Sequence, residues 1–482
     1  MSTLLIAIII LMFFAVLMGV SWFTSRNADS ETFFTGNRRS PWYLVAFGMI
    51  GSTISGVTFI SVPGEVGNSA WTYLQFLLGN FIGYWVIALV LIPLYYRLNL
   101  VSIYTYLDQR FGLRSYKTGA FFFLVSQTIG ASFRLYLAAG VLQIAFFNDF
   151  GIPFWLTVLI TLFLIWIYTY RAGIKTVVWT DSLQTLFILG AVGITIWVIL
   201  NQLDLNFGGM VSVVDHHPFS RIFDWDWKSK TNFFKQFVAG VGIVLTMNGL
   251  DQNMMQKNLT CKTRRDAQKN IFWFSFAFII ANIFFLSLGV MLYYYAAQKG
   301  IDLPSRTDDL FPLLAIKYFG PVAGALFLLG ILSAAYSSAD SALTALTTSF
   351  CIDFLNLDPS APKSKRTRML VHVGFSLLMF LVIVAFRIIN NESVVTAVFR
   401  VAGYTYGPLL GLFAFGILTK RLVKDRFVPL VGLLSPVLTY IVNANSEAWF
   451  GGYKFGFELL LLNGLIMFAG LLLLSHPKPE PK

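Results

Sequence analysis

Hydroxyl side chains and one carboxylate form a stripe on an apolar stretch around residue 340. Ser337, Asp340, Ser341, Thr344 and Thr348 follow one another at three- and four-residue spacing, which places them on one face of a helix. Oxygen atoms of this kind are hard donors that suit Na⁺. Serine and threonine also bond to carbonyls of their own helix. The carboxylate favours the cation site, because an ionisable group within an apolar span is expensive and generally functional.

A second carboxylate, Asp181, lies a few residues inside another apolar stretch, in the run Trp179-Thr180-Asp181-Ser182. A solvated position at the membrane interface is the alternative for this residue. Its expected depth nevertheless matches that of Asp340. Two carboxylates beside several hydroxyls predict a site for a small hard cation.

Two apolar stretches are interrupted in a way that disfavours a continuous helix. Residues 51–58 contain two glycines and four hydroxyl residues, and residues 240–249 contain three glycines with Thr246 and Asn248. Such paired interruptions are typical of inverted-repeat transporters, whose binding site lies where the helices break. Close helix packing by small residues is the alternative, and it stays open for the second stretch.

Arg134 lies near the middle of a predicted span, residues 118–147, roughly 20 Å from either end at the rise of an α-helix. An arginine side chain does not reach that far to water. The guanidinium is therefore expected either to bond to backbone carbonyls or pair with Asp340, or to bind a carboxylate of the solute through its planar fork of donors.

Composition shows what must position these side chains. The 482 residues are 57% hydrophobic and only 12% charged, about half the charged fraction of soluble domains. Thirteen segments are long and apolar enough to be predicted as membrane-spanning helices. Their expected limits are 3–24, 41–63, 72–96, 118–147, 153–170, 177–201, 233–250, 270–296, 318–350, 369–387, 395–418, 427–444 and 456–475.

Basic residues set the expected orientation. Most of the 35 lysines and arginines fall in alternate connecting segments, among them Lys257 to Lys269 and Lys363 to Arg368. Cytoplasmic loops carry this excess, so the N-terminus is predicted outside and the C-terminus inside. The same bias explains the net charge of +12, and a nucleic-acid partner is not expected. Cys261 and Cys351 fall on the cytoplasmic side, where a disulfide is not expected.

Other function classes lack their signatures. The four histidines form no HExxH motif, and no glycine-rich loop ends in Gly-Lys-Ser/Thr, so neither an enzyme nor an ATPase is predicted. A channel would need a continuous polar pore, and this single asymmetric chain shows no sequence pattern for one. The segment Met1–Phe23 lacks a basic start and a small-residue cleavage site, which predicts a retained helix and not a signal peptide.

Several motifs together resemble the sodium:solute symporter family, which includes sodium-coupled glucose, proline, iodide, vitamin and sialic acid carriers. The resembling runs are Ser337-Ser338-Ala339-Asp340-Ser341, Trp179-Thr180-Asp181-Ser182-Leu183-Gln184, Tyr104-Thr105-Tyr106-Leu107-Asp108-Gln109-Arg110-Phe111-Gly112 and Gly407-Pro408-Leu409-Leu410-Gly411-Leu412-Phe413. The resemblance implies an all-α membrane protein of leucine-transporter architecture. One transporter domain would contain two five-helix inverted repeats with broken first helices, residues 41–201 and 233–418. Residues 3–24 and 427–475 would be peripheral helices.

The resemblance also implies a shared sodium site, with Na⁺ as the coupling ion. Its ligands would be the carbonyls of Gly51, Ile54 and Ala334 and the hydroxyls of Ser337 and Ser338. Some members hold a second sodium ion, and Asp181, Ser338 and Ser341 match that pattern. Asp340 departs from it, because a hydroxyl residue is expected at this position, and an extra carboxylate would tighten the second site or alter its pH dependence.

The predicted solute site consists of five residues, Thr53, Ser55, Thr58, Gln75 and Arg134. Its hydroxyls could equally satisfy the broken backbone. Sialic acid carriers use an arginine about one turn from Arg134, near Gly130. We therefore expect a sodium-coupled symporter in the plasma membrane that imports a carboxylate such as a sialic acid, its only partners being solute, sodium and the lipid bilayer. A neutral sugar or polyol carrier and an uncoupled facilitator or sensor are the alternatives.

Overall fold

The computed structural model describes residues 3–25, 30–169, 173–358, 364–389 and 394–477. Helices dominate this part of the chain. In chain order they are α1 Thr3–Ser25, α2 Ser30–Thr35, α3 Trp42–Thr53, α4 Gly56–Ser69, α5 Tyr73–Val86, α6 Ile92–Arg97, α7 Thr105–Arg110, α8 Leu113–Ala145, α9 Phe154–Thr169, α10 Ile174–Gln202 and α11 Phe207–His216. They continue as α12 Phe233–Val244, α13 Gln252–Leu259, α14 Arg264–Gln298, α15 Leu310–Lys317, α16 Gly320–Ser349, α17 Ser364–Ile389, α18 Val394–Thr405, α19 Gly407–Leu418, α20 Val428–Ala444, α21 Ser446–Trp449 and α22 Leu459–Leu473. Two short strands, β1 Leu422–Val423 and β2 Ser475–His476, pair antiparallel.

The helices have the length and polarity of a membrane protein. Within the described residues, eight helical stretches are long and apolar enough to cross a bilayer, one of which runs through α4, α5 and α6, or up to ten when each of two bent pairs counts as one span. Each of the thirteen predicted segments overlaps a helix. Between the sixth and seventh predicted spans, residues 202–232 contain the ten-residue helix α11.

Burial distinguishes the central helices from the peripheral ones. The most apolar part of the span that includes α16 is 78% buried, whereas the corresponding parts of the spans that include α17 and α20 are each 22% buried. Helix α16 packs against α10, α8, α3 and α13. The polar stripe predicted on α16 is therefore enclosed by protein, where lipid cannot reach it.

The first predicted interruption is a real break. Helix α3 ends at Thr53, Ile54 has ψ of 79°, and α4 begins at Gly56. In an unbroken helix the Ser55 N–H would bond to the Gly51 carbonyl, but it donates to Thr53 O at 3.0 Å. The break thus withdraws the Gly51 carbonyl from the helical ladder in the interior of the bundle.

The second interruption is also a break, with a bend of 62° between the segments Phe233–Gly249 and Gln252–Leu259. Asp251 stands at the bend and caps α13, because its carboxylate accepts from the backbone N–H of Asn253 at 2.8 Å and of Met254 at 3.4 Å. A capped helix start satisfies donors that lipid could not satisfy.

Close helix packing, the alternative for this stretch, applies to another part of it. A Cβ atom added at Gly240 would lie 2.2 Å from the backbone oxygen of Phe76 on α5. Gly79 on α5 is equally tight against the Phe237 carbonyl, at 2.0 Å. Gly240 on α12 and Gly79 on α5 therefore bring these two helices together, and the polar residues at the C-terminal end of the stretch form the break.

Helix α13 corrects one prediction. The span was expected to end at residue 250, which placed Lys257 in a cytoplasmic segment. All eight residues of α13 are buried, and Lys257 is 1% exposed. The expectation was wrong because the chain, capped by Asp251, resumes as a helix inside the bundle. Cys261 and Cys351 are buried free thiols.

The packing of α12 on α5 gives a first prediction. Gly240→Ala should lower the thermal unfolding midpoint of the purified protein, because a backbone carbonyl cannot rotate away from the new methyl group, and overpacking costs about 1–3 kcal/mol. Gly193→Ala is the matched control, since Gly193 has no atom within 4 Å of its added Cβ. Alanine also favours a helix by about 1 kcal/mol over glycine. Equal midpoints for the two variants would contradict the packing account.

Candidate cation site and solute cavity

Two helices bring hydroxyl groups to the carboxylate of Asp181, which lies on a third helix, α10. Ser52 on α3 donates to Asp181 Oδ2 at 2.8 Å, and Ser337 on α16 donates to Asp181 Oδ1 at 2.5 Å. All three side chains are at most 4% exposed. Two predicted residues, Asp181 and Ser337, therefore meet, with Ser337 and not Ser338 as the direct hydrogen-bond partner.

Lys257 on α13 completes this cluster. Its ammonium Nζ lies 2.7 Å from Asp181 Oδ2, and both side chains are almost fully buried. The same nitrogen donates to Ser341 Oγ at 2.8 Å and to Ser52 Oγ. An ammonium group has three N–H donors, so each of them has an acceptor here. The carboxylate predicted to bind a cation is thus neutralised by a cation of the chain itself.

Asp340 joins the cluster indirectly. Ser341, which accepts from Lys257, donates to Asp340 Oδ1 at 3.3 Å. Asp340 is fully buried. The two predicted carboxylates are therefore linked through one hydroxyl and one ammonium group.

The predicted shared sodium site lies next to this cluster, between the break after α3 and the middle of α16. Ser338 donates its hydroxyl hydrogen to the carbonyl of Ala334 at 3.1 Å, while Ser337 donates to Asp181. A hydroxyl that donates elsewhere keeps its oxygen lone pairs for a cation. The Gly51 carbonyl is released from its helix by the break, and Ile54 follows it as the fully buried C-cap of α3. Carbonyl and hydroxyl oxygens of the kind present at these five positions are the hard donors that Na⁺ prefers.

A cavity of about 120 Å³ lies beside the two breaks. Cavities that hold drug-sized ligands have about 300–1,000 Å³, so a solute of that size fits only when this cavity widens. Four of the predicted solute residues line it: Thr53, Ser55, Thr58 and Arg134. Gln75 is not among the lining residues. Its amide donates to the carbonyls of Thr72 and Thr231 and accepts from the N–H of Asp224, which ties α5 to the segment before α12.

The cavity wall carries polar atoms that the described part of the chain does not satisfy. These atoms are buried, and within the described residues each is without a hydrogen-bond partner. They are Thr53 Oγ1, Asn80 Oδ1, Tyr84 OH, Gln127 Nε2, Asn248 Oδ1 and Asn253 Oδ1. Buried polar groups nearly always have partners in proteins or in bound water. The arrangement is therefore suited to a solute with many hydroxyl or amide groups.

Charge in the cavity comes from Arg134 and Asp251, which interact electrostatically. Asp251 uses one carboxylate oxygen to cap α13 and accepts from Tyr406 OH at the other, and Gln127 Oε1 lies 3.3 Å from the same hydroxyl. Within the described residues the guanidinium of Arg134 makes no hydrogen bond, so its five N–H groups are available to an anion in the cavity.

Asp251, Tyr406 and Lys257 are site residues that the sequence did not predict. Asp251 directly follows the predicted interruption, and an Asp at that place signals an N-cap. Lys257 carried no such signal, because it precedes a run of basic residues that is typical of a cytoplasmic loop.

Comparison with known proteins identifies the family of this chain. Residues 33–425 match the Sodium:solute symporter family. The sodium/sialic acid symporter NanT of Aliivibrio fischeri is 26% identical over 447 residues, which cover 87% of this chain and 83% of that protein. The human sodium/iodide cotransporter is 26% identical over 404 residues, covering 81% of this chain and 61% of that protein.

A solved structure is similar over nearly the full length. The substrate-bound, outward-open state of a Na⁺-coupled sialic acid symporter superposes with a TM-score of 0.83, at 20% sequence identity and with 97% of both chains covered. The two chains therefore have the same transporter fold.

Proposed function

The chain belongs to the sodium:solute symporter family, and we propose that within this family it imports a carboxylate-bearing, hydroxyl-rich solute such as a sialic acid together with sodium. The observation that carries the proposal is the cavity at the two helix breaks. It combines the guanidinium of Arg134 with six buried polar atoms that have no hydrogen-bond partner among the described residues. A sialic acid offers one carboxylate to the first and several hydroxyls and an amide to the others.

The relatives support this substrate class. NanT of Aliivibrio fischeri and the solved Na⁺-coupled symporter both carry sialic acid in their names. Because the identities are 26% and 20%, the choice of solute rests on the chemistry of the cavity in this chain.

Sodium coupling follows from the α3 break, because the proposed sodium site and the solute cavity both include residues of this break. The proposed sodium ligands are the carbonyls of Gly51, Ile54 and Ala334 and the hydroxyls of Ser337 and Ser338. Thr53 and Ser55 of the same break line the solute cavity. Sodium that fixes this backbone also fixes the solute site, and each ligand must then tighten the binding of the other by the same factor. An inward sodium gradient would drive solute accumulation by alternating access.

We further propose the full membrane arrangement that the sequence predicts. The chain would cross the plasma membrane thirteen times, with the N-terminus outside and the C-terminus inside. Residues 41–201 and 233–418 would form the inverted repeats, each starting with a broken helix. Solute, sodium and lipid would be its only partners.

One observation favours a second candidate, a neutral sugar or polyol. Asp251 lies in the same cavity as Arg134 and balances its charge. A cavity whose charges cancel can bind a neutral polyol through both groups. The two candidates differ in what they require of Arg134.

Removal of two hydroxyls tests the sodium site. Ser337→Ala with Ser338→Ala should raise the sodium concentration that gives half-maximal solute uptake into proteoliposomes by about tenfold or more, because two oxygen ligands are lost while alanine keeps the helix. Thr347→Val is the control on the same helix, since Thr347 bonds to Leu343 O and His372. Unchanged sodium activation in the double variant would refute this assignment.

Arg134→Lys tests the solute carboxylate. An ammonium cannot reproduce a bidentate pair with a carboxylate, so affinity for N-acetylneuraminic acid should fall about 10- to 100-fold while sodium binding is kept. Calorimetry with wild-type protein should show much weaker binding of the neutral amide analogue of the same sugar. Arg387→Lys, at a cation–π contact with Phe154 outside the cavity, is the control. Equal affinity of the wild type for acid and amide would favour the neutral polyol.

A further inference from the structure

The cluster around Asp181 holds a positive charge that belongs to the chain. We infer that the Lys257 ammonium takes the place of a second sodium ion at Asp181, so that the protein binds one sodium ion, at the shared site. The inference deepens the proposed sodium coupling and rests on it for the number of ions per cycle.

The hydrogen-bond directions support this occupancy. Each hydroxyl that accepts from Lys257 also lies within hydrogen-bond distance of a carboxylate. Ser52 is 2.8 Å from Asp181 Oδ2, closer than its other acceptor, the Gly48 carbonyl at 3.1 Å, and Ser341 is 3.3 Å from Asp340 Oδ1. The ammonium thus contacts Asp181 directly and also through Ser52, and it reaches Asp340 through Ser341. Asp181, Ser52 and Ser341 offer the hard oxygens that a sodium ion would need, and Lys257 Nζ lies where they converge.

Electrostatics opposes a sodium ion in addition to the ammonium. Two unit positive charges about 4 Å apart repel at an effective dielectric constant of about 20 by an amount that, for the pair alone, corresponds to roughly a thousandfold loss of affinity, and the carboxylate of Asp340, reached through Ser341, offsets part of it. Asp181 is 1% exposed and Lys257 is 1% exposed, so water screens little of this repulsion. The second sodium ion that Asp181 and Ser341 suggest by family resemblance therefore does not fit beside Lys257.

Because Lys257 is part of the chain, its ammonium has a different role from that of a bound sodium ion. Lys257 belongs to α13, beyond the second helix break, while its partners belong to α3, α10 and α16. A bound sodium ion would leave with the solute in each cycle. The ammonium remains attached, and it holds both broken segments against α10 and α16 without consuming part of the sodium gradient.

The test counts sodium ions bound at equilibrium to purified protein, using ²²Na⁺ in choline buffer. Wild type should bind one ion per chain. Lys257→Ala should bind two, because the emptied site keeps the carboxylate of Asp181 and the oxygens of Ser52, Ser337 and Ser341. The double variant Lys257→Ala/Asp181→Asn should bind one, because its emptied site has lost the carboxylate that would contact the ion directly, while Asp340 lies behind Ser341. Two ions in the wild type, or no additional ion in Lys257→Ala relative to the wild type, would overturn the inference.

A thermal measurement covers the case in which Lys257→Ala does not fold without sodium, since an unpaired buried charge is strongly destabilising. The variant is then purified in sodium, and its unfolding midpoint is compared in sodium and in choline. Its midpoint should fall further in choline than that of the wild type, and the double variant should behave like the wild type. An equal fall in all three proteins would overturn the inference.

The two proposals fail differently. A wild-type protein that binds no sodium would contradict the proposed sodium coupling. If Lys257→Ala then binds one ion, the inference about Lys257 stands, because the variant has gained a site that the ammonium had filled.

Discussion

A polypeptide that stops being helical inside a membrane must satisfy its backbone within the protein, and much of this structure follows from that constraint. Helix α3 breaks at Ile54, and the segment that starts with α12 bends at Asp251. Both breaks lie against α16, whose span is 78% buried. The released carbonyls, the solute cavity and the polar cluster are all consequences of these two interruptions. A cation or a solute bound there replaces the partners that an unbroken helix would have supplied.

The second consequence is a balance of buried charge. Arg134 and Asp251 line the same cavity and interact electrostatically. Lys257 and Asp181 form a buried ion pair next to it. Ser52 connects the two regions, because it lines the cavity and also bonds to both members of the Lys257–Asp181 pair. Breaking a buried ion pair by removing one partner is strongly destabilising, so these charges restrict how the broken segments can move relative to α10 and α16. A sodium site next to such a pair is affected by the same movement of the broken segments relative to α10 and α16.

The sequence predicted those parts of the structure that depend on local pattern. Apolar length located the helices, and glycine with hydroxyl residues located the break after α3. The polar stripe on α16 and the depth of Arg134 identified two site elements. Lys257 and Asp251 were not predicted, since their roles depend on contacts across more than 70 residues of chain, such as Lys257 with Asp181. A lysine at the start of a basic run has the same local signature whether it faces the cytoplasm or a buried carboxylate. Gln75 was expected at the solute site, yet it bonds to the segment before α12.

The central claim is that one sodium ion moves with each carboxylate solute, because Lys257 supplies the second positive charge permanently. The most direct test measures ²²Na⁺ and labelled N-acetylneuraminic acid entering the same proteoliposomes, at a membrane potential clamped to zero. The account predicts one sodium ion per solute in the wild type. A ratio of two would contradict the role given to Lys257, and solute uptake without sodium entry would contradict the coupling itself.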